Sequence, residues 1–379
     1  MSRRVFMVAS EASGEQLGAA LIEASRAAGL ALDFAGVVGP RLQNLGVRSL
    51  FDGHVLAVVG LVEVLGSFRR IRALLHDIDD YLRRERPDLV VLIDHPDFNL
   101  RVAARAKAYG IPVLYYVSPQ VWAWRAGRIH KIAQLVDHMM VLFPFEAPLY
   151  EAAGVPVTVV SHPLLAETAG AEEQAEARRR LGLPVEGECV ALLPGSRNGE
   201  IQRLAPRLAR SARLLQARRS GLRFLAPLAR PGQRELFERL WCEATPDFPP
   251  PLMLEGQAQR AIRAADAVVV ASGTATLETA LLERPAVVVY AVNPITYAIA
   301  RRLVKVPFIA LPNLLLQRLV YPELIQSALR PEAVAEAVQA ILDGGGAAQR
   351  QALQSLRQLL QGEGPEQVAG VLRQVLGEA

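Results

Sequence analysis

Short apolar runs rich in β-branched residues alternate with helix-length segments along most of this chain, and that alternation leaves few folds open. RVFMVAS (4–10), the segment at 33–39, DLVVLID (88–94), IPVLYYVS (111–118), HMMVLF (138–143) and VPVTVVS (155–161) read as strands. They lack the polar–apolar alternation of a sheet with one wet face, so each is expected to be covered on both faces. Segments 14–28, 100–109, 128–136 and 144–153 read as the helices between them. Strand–helix–strand units of this kind build parallel, doubly wound sheets. The rhythm breaks at 163–187, where AGAEEQAEARRRLGLPVEGE is charged and poor in β-branched residues, and this reads as a linker with a short helix. It then restarts, with strands at 189–195, 222–229, 252–256, 267–273 and 285–292 and helices at 200–219, 231–244, 258–265 and 274–282. After Pro331 the chain reads as helical, broken by GGG (344–346) and GEGP (362–365).

A chain of 379 residues exceeds one ordinary core. The expected fold is therefore α/β: two Rossmann-like domains facing a central cleft, with a helical C-terminus. The first domain is expected at 1–165, completed by the helices at 346–379, and the second at 166–345. Ligands of such sheets sit outside the carboxyl ends of the strands.

Composition narrows the function classes only slightly. Cys189 and Cys242 are the two cysteines, neither in a metal-ligand spacing, so they point to no metal site and to a reducing compartment; no cofactor is expected either. MSRRVFMVASEASGE turns acidic before a signal-peptide core forms, and no run approaches the roughly 18 apolar residues of a membrane span. A net charge of +4 is compatible with nucleic acid, anionic lipid or a phosphorylated substrate and selects none of them.

Six stretches can carry chemistry. VASEASGEQLGA (8–19) leaves a strand and enters a helix, and free N–H groups near Ser13 and Gly14 can hold an anion. A helix capped by Ser13 accounts for the same residues. ALLPGSRNGEI (191–201) repeats that grammar, with Ser196 in a small-residue turn and Arg197 able to clamp a phosphate; an ordinary turn explains it equally. VVVASGTATLETALLERPAVV (268–288) ends a buried strand at Ser272, Gly273 and Thr274, whose donors suit a diphosphate. Glu278, four residues on, shares a helix face with Thr274 and suits the hydroxyls of a ribose. No GxGxxG is present, which disfavours a dinucleotide.

VLIDHPDFNL (91–100) places Asp94 at a strand's carboxyl end, where a carboxylate can act as a general base toward a hydroxyl, while Asp97 and Asn99 are expected to cap the next helix. YYVSPQVWAWRAGRIHKI (115–132) crowds Trp122 and Trp124 near arginines, as a stacking surface or as core-sealing rings. HVLAVVGLVEVLGSFRRIRALL (54–75) is apolar through Val59, Leu61, Val62, Leu65 and Phe68, then carries Arg69, Arg70 and Arg72. An interfacial element dipping into anionic headgroups has this pattern, and so has a buried helix with a basic end.

Taken together, VVGLVEVLG (58–66), IDHPDFN (93–99), YYVSPQVWAWR (115–125), LLPGSR (192–197), ASGTATLE (271–278) and LPNLL (311–315) resemble the lipid-A-disaccharide synthase family of B-fold glycosyltransferases. The resemblance implies an inverting, metal-independent transfer between UDP-2,3-diacylglucosamine and 2,3-diacylglucosamine 1-phosphate (lipid X). It implies a β-1,6-linked disaccharide 1-phosphate and UDP as products. It also implies a cytoplasmic enzyme held peripherally at the inner face of the membrane, with a homodimer possible and no nucleic-acid partner. Under it, Asp94 matches the general base and Arg197 an arginine that neutralises donor phosphate. Ser272, Gly273, Thr274, Glu278 and Asn313 match the nucleotide side, and Glu11, Ser13 and Gly14 a loop facing the cleft. Leu319 and Ala291 depart from the family's pattern near the expected nucleotide pocket. Two other readings stay open at this level: a related UDP-sugar enzyme, such as a UDP-N-acetylglucosamine epimerase, and a non-catalytic membrane- or nucleic-acid-binding protein.

Overall fold

A computed structural model describes residues 2–10, 12–53, 61–119, 121–122, 127–230, 232–303 and 306–377. The chain divides into two compact units, Met1–Pro163 with Leu360–Ala379, and Leu164–Leu359.

The first unit holds seven strands: β1 (Arg3–Ala9), β2 (Leu32–Val38), β3 (Arg48–Ser49), β4 (Leu89–Ile93), β5 (Val113–Tyr116), β6 (His138–Val141) and β7 (Val157–Val159). All pair in parallel, in the order 3-2-1-4-5-6-7. Alternate residues feed two cores, as a doubly covered sheet demands. Phe6, Val8, Val90, Leu92 and Tyr115 pack with Ile78 and Leu82 of the helix Leu61–Glu85 and with Val102 of Pro96–Ala108. Val5, Met7, Val91, Ile93 and Tyr116 pack with Leu21 and Ile22 of Ala12–Ala27 and with Val371 and Leu372 of the last helix, Pro365–Leu376.

The second unit holds β8 (Cys189–Leu193), β9 (Arg223–Leu228), β10 (Leu252–Glu255), β11 (Ala267–Ala271), β12 (Ala286–Tyr290) and β13 (Glu323–Ile325). They form a parallel sheet in the order 10-9-8-11-12-13. One of its faces is sealed by Leu204 and Leu208 of Asn198–Arg218, Phe237 and Trp241 of Gln233–Ala244, and Val334 and Val338 of Pro331–Ala340.

Two boundaries differ from the sequence reading. The charged stretch at 163–187 is packed structure, not linker: Arg178 is buried and pairs with Asp266 at 2.7 Å while donating to the carbonyl of Ala264. A fully satisfied guanidinium can be buried, so charge there did not mean solvent. The return to the first unit comes at 360, not 346. Helices Gly346–Leu353 and Leu356–Leu359 stay with the second unit, where Gly346 lies so close to Pro285 that a Cβ would meet it at 2.8 Å. Arg357 there donates to the carbonyls of Thr168 and Leu281. Beyond 360 the chain bonds to the end of β7 through Ser161 N–H to Glu363 O and Ser161 Oγ–H to Gly362 O.

Candidate active site

In the first sheet β1 and β4 are neighbours, yet the helices that follow them cover opposite faces: Ala12–Ala27 lies on one core and Pro96–Ala108 on the other. The crevice at such a switch point is where doubly wound sheets bind ligands. Asp94 and the turn after β1 both border it. Gly14 is buried, and a Cβ on it would stand 3.7 Å from Ile93, the residue before Asp94. Ser13 is exposed, and Glu11 lies outside the described residues. Glu15 is used internally: its carboxylate accepts from the N–H groups of Arg41 (2.8 Å) and Leu42 (3.4 Å), capping the short helix Pro40–Asn44.

Asp94 is half-buried and sits in left-handed backbone with φ 55°, followed by His95 at φ 45°. Neither conformation is comfortable for a side-chain-bearing residue, and such residues persist only where their surroundings hold them. Asn99, fully buried, donates its amide to the carbonyls of Ile93 (3.1 Å) and Asp94 (2.7 Å), and the Tyr115 hydroxyl donates to Asp94 O at 2.6 Å. Burial first, then the nearby Asp94 and Tyr150, push the Tyr115 hydroxyl far above its ordinary range, so it stays a donor. The expected caps are corrected here. The helix starts at Pro96, Asp97 pairs with Arg128 at 2.6 Å, and Asn99 reaches back from inside the first turn and a half. Pro96 sets that start, because it favours the first helical position. One strand over, Val117 also has positive φ (77°), a rare state for a β-branched residue.

Sequence reasoning missed a buried acid in this unit. Glu146 accepts from Trp122 Nε1–H at 2.9 Å, from Ser118 and from the Phe143 amide; burial nevertheless raises its carboxyl to about 7. Nothing in FPFE marks it as buried; its Trp122 partner comes from a different strand end.

In the second sheet the switch point falls between β8 and β11. A cavity of about 410 Å³ opens there, lined by Gly195, Ser196, Arg197, Glu200, Ser272, Gly273, Thr274 and Glu278 among others. Ser272 Oγ–H donates to Ile309 O (3.1 Å), and helix Thr274–Leu281 starts on the cavity wall. Burial raises the Glu278 carboxyl above its ordinary value, against a lowering hydrogen bond from Gln259. Arg197 is exposed and precedes helix Asn198–Arg218. Glu200, which the sequence reading passed over, accepts from the Ser196 and Arg197 amides (3.0 and 3.3 Å) and lies 3.5 Å from the Arg197 guanidinium. Gly195 has φ 101°, and a Cβ there would meet the Glu200 carboxylate at 2.2 Å, so only glycine fits the turn.

Asn313 is a correction. It is fully buried, donates to Tyr321 O and Glu323, and accepts from the N–H groups of Val320 and Tyr321, which leaves no group for a ligand. Glu323 also accepts from Ile309 and Ala310, so the pair fixes the segment that receives the Ser272 hydroxyl. Ala291 is buried in the core and Leu319 is exposed, and neither lines the cavity.

On helix Leu61–Glu85, Arg69, Arg70 and Arg72 are exposed; Arg69 and Arg72 border a groove of about 550 Å³ with His76, Asp79 and Arg105. Val59 lies outside the described residues, as do the side chains of Leu61, Val62, Leu65 and Phe68. Among the described residues no helix is long and apolar enough to cross a membrane.

Comparison with solved structures gives the fold. S. aureus MnaA in complex with UDP aligns at TM-score 0.64 and 12% identity, covering 100% of this chain and 98% of that one. A calicheamicin glycosyltransferase aligns at TM-score 0.60 and 13% identity, covering 100% and 99%. The fold is that of the B-type glycosyltransferases, and at these identities likeness to UDP-sugar epimerases carries no more than fold. Sequence comparison goes further. The lipid-A-disaccharide synthase of Pseudomonas paraeruginosa is 46% identical over 346 residues, 90% of each chain. That of Pseudomonas fluorescens is 44% identical over 376 residues, 99% of this chain and 98% of its own. The sequence signature of the lipid-A-disaccharide synthetase family matches residues 5–374. With matches of that extent the chain is a glycosyltransferase, and it belongs to the lipid-A-disaccharide synthetase family.

Proposed function

We propose that the chain joins UDP-2,3-diacylglucosamine to 2,3-diacylglucosamine 1-phosphate, with Asp94 as general base. The observation that carries this reading is Asp94 itself: a half-buried carboxylate on strained backbone, held by Asn99 and Tyr115 at the switch point of its sheet. In the proposed step Asp94 takes the proton from the acceptor's 6-hydroxyl as that oxygen bonds to the donor's anomeric carbon. The bond from that carbon to the diphosphate breaks, and UDP leaves. A single displacement inverts the anomeric centre. A hydroxyl is a poor nucleophile at neutral pH, so a positioned base contributes about 10²–10⁴-fold.

The cavity at β8 and β11 is the proposed seat of UDP. Thr274 and the start of helix Thr274–Leu281 offer donors to the diphosphate, Arg197 offers counter-charge, and Glu278 accepts from ribose hydroxyls. No metal takes part in this scheme. Arg69, Arg70 and Arg72, next to the apolar stretch at 59–68, are proposed to rest on an anionic membrane surface from which both acylated substrates are drawn.

The test is an assay of purified protein with both acylated substrates, scored by mass spectrometry. Disaccharide 1-phosphate and UDP are expected, and Asp94→Asn is expected to lower kcat by about 10³-fold with its thermal unfolding unchanged. Wild-type turnover in that variant rejects the assigned base; product only from unacylated sugars rejects the substrates.

A further inference from the structure

Trp122, Ser118 and Glu146 belong to the part of the molecule that the proposed chemistry leaves unused. Their strand ends are consecutive in the sheet. β4 carries Asp94, β5 leads into Val117 and Ser118, and β6 leads into the turn Pro144–Glu146. Glu146 is 2% exposed and Ser118 3%, while Tyr115 and Tyr150 are wholly buried in one cluster. Ser118 Oγ lies 2.9 Å from the Tyr150 hydroxyl and also bonds to Glu146. The Trp122 ring is held edge-on by Phe145 at 5.1 Å, and Phe145 stacks on Phe143 at 5.7 Å.

We propose that Glu146 is a positioning residue for the transfer: it anchors the segment after β5 through the Trp122 indole and Ser118, and thereby steadies the strained backbone that presents Asp94. The proposal rests on the reading of Asp94 as the base. Its physical reason is the donor count. Trp122 Nε1–H and the Phe143 amide can only donate, so the ionised carboxylate satisfies both while a protonated carboxyl gives up an acceptor site. The groups that face this carboxyl are Trp122 and Ser118 from the segment after β5, the Phe143 amide of its own turn, and Tyr150 of Ala147–Ala152. His162, beyond β7, reaches the adjoining Phe143 ring at 5.8 Å. With the carboxyl poised at about 7, the grip on Trp122 tightens as pH rises through neutrality.

The experiment compares the full-length wild type with Glu146→Gln and Trp122→Phe, by tryptophan emission and by initial rates from about pH 6 to 8. The wild type is expected to show an emission change with a midpoint near neutrality, and a kcat that rises through the same midpoint. Glu146→Gln is expected to lose the emission change, lower kcat about tenfold, leave KM for the UDP-sugar unaltered and flatten the pH profile. Trp122→Phe is expected to flatten both as well, which keeps the test alive should Glu146→Gln fold poorly. An emission titration that survives in Glu146→Gln, or a native kcat and pH profile in either variant, overturns the proposal. Normal turnover in Asp94→Asn strikes the base assignment instead, and the emission arm still decides whether Glu146 holds Trp122.

Discussion

Asp94, at a strand tip, and Asn313, in the short helix Leu311–Leu316, are both polar residues of specific short motifs, and their fates differ. Asn99 and Tyr115 hold Asp94 through its backbone carbonyl. Asn313 spends its amide on Tyr321, Val320 and Glu323. Replacing Asn313 by Ala strands two buried N–H groups, so a loss of about 3 kcal/mol in stability is expected, read by chemical denaturation. A ligand contact would instead weaken UDP binding and leave the midpoint unmoved. Two titrating groups near β6 and β7 act against each other. Burial raises Glu146 from 4.5 to about 7, so the fold binds the extra proton and stability falls as pH rises between those values. Burial lowers His162 from 6.5 to about 4, so the unfolded chain binds the extra proton and stability rises with pH over that window. The slopes oppose each other between about pH 4.5 and 6.5. Glu146→Gln leaves the His162 slope uncovered, and the Tm of that variant is expected to rise with pH there, as followed by calorimetry.

At the level of elements, both switch points are built from a strand, a tight turn and a helix, but the turns are not equivalent. The turn after β8 is closed by Glu200, whose carboxylate already engages two of the amides a phosphate would seek. The turn after β11 carries Ser272, Gly273 and Thr274 into the start of an eight-residue helix. Gly195→Ala drives a methyl into Glu200 on left-handed backbone; a loss of about 1–3 kcal/mol is expected together with weaker UDP binding by calorimetry. These strand-tip turns were legible, because a strand ending in small residues before an amphipathic run has one local solution. Glu200 was also within reach, since an acid three residues past the N-cap position, here Arg197, has capping spacing. Glu146 was not, because burial of a carboxylate depends on partners from another strand. Strands β3 and β13 were invisible for a related reason: two or three residues become a strand only when a neighbour pairs with them.

For the molecule as a whole, the last helix decides how the chain is partitioned. Val368, Val371 and Leu372 fill the first unit's core, although they follow the whole second unit in sequence. Each buried Val or Leu contributes about 1.5–3 kcal/mol. Deleting 360–379 is therefore expected to unfold the first unit and spare the second, seen as loss of one of two calorimetric transitions. By itself the sequence determined the two parallel sheets, the strand tips that carry Asp94, Arg197 and Ser272 to Thr274, and the family, since periodicity and short motifs are local properties of the chain. Tertiary structure alone decided that Arg178 is buried, that Asn313 serves the backbone, that Glu146 sits under Trp122 and that the chain returns at 360. Each of those depends on which distant group satisfies a polar atom or fills a core, and a linear pattern does not encode the partner.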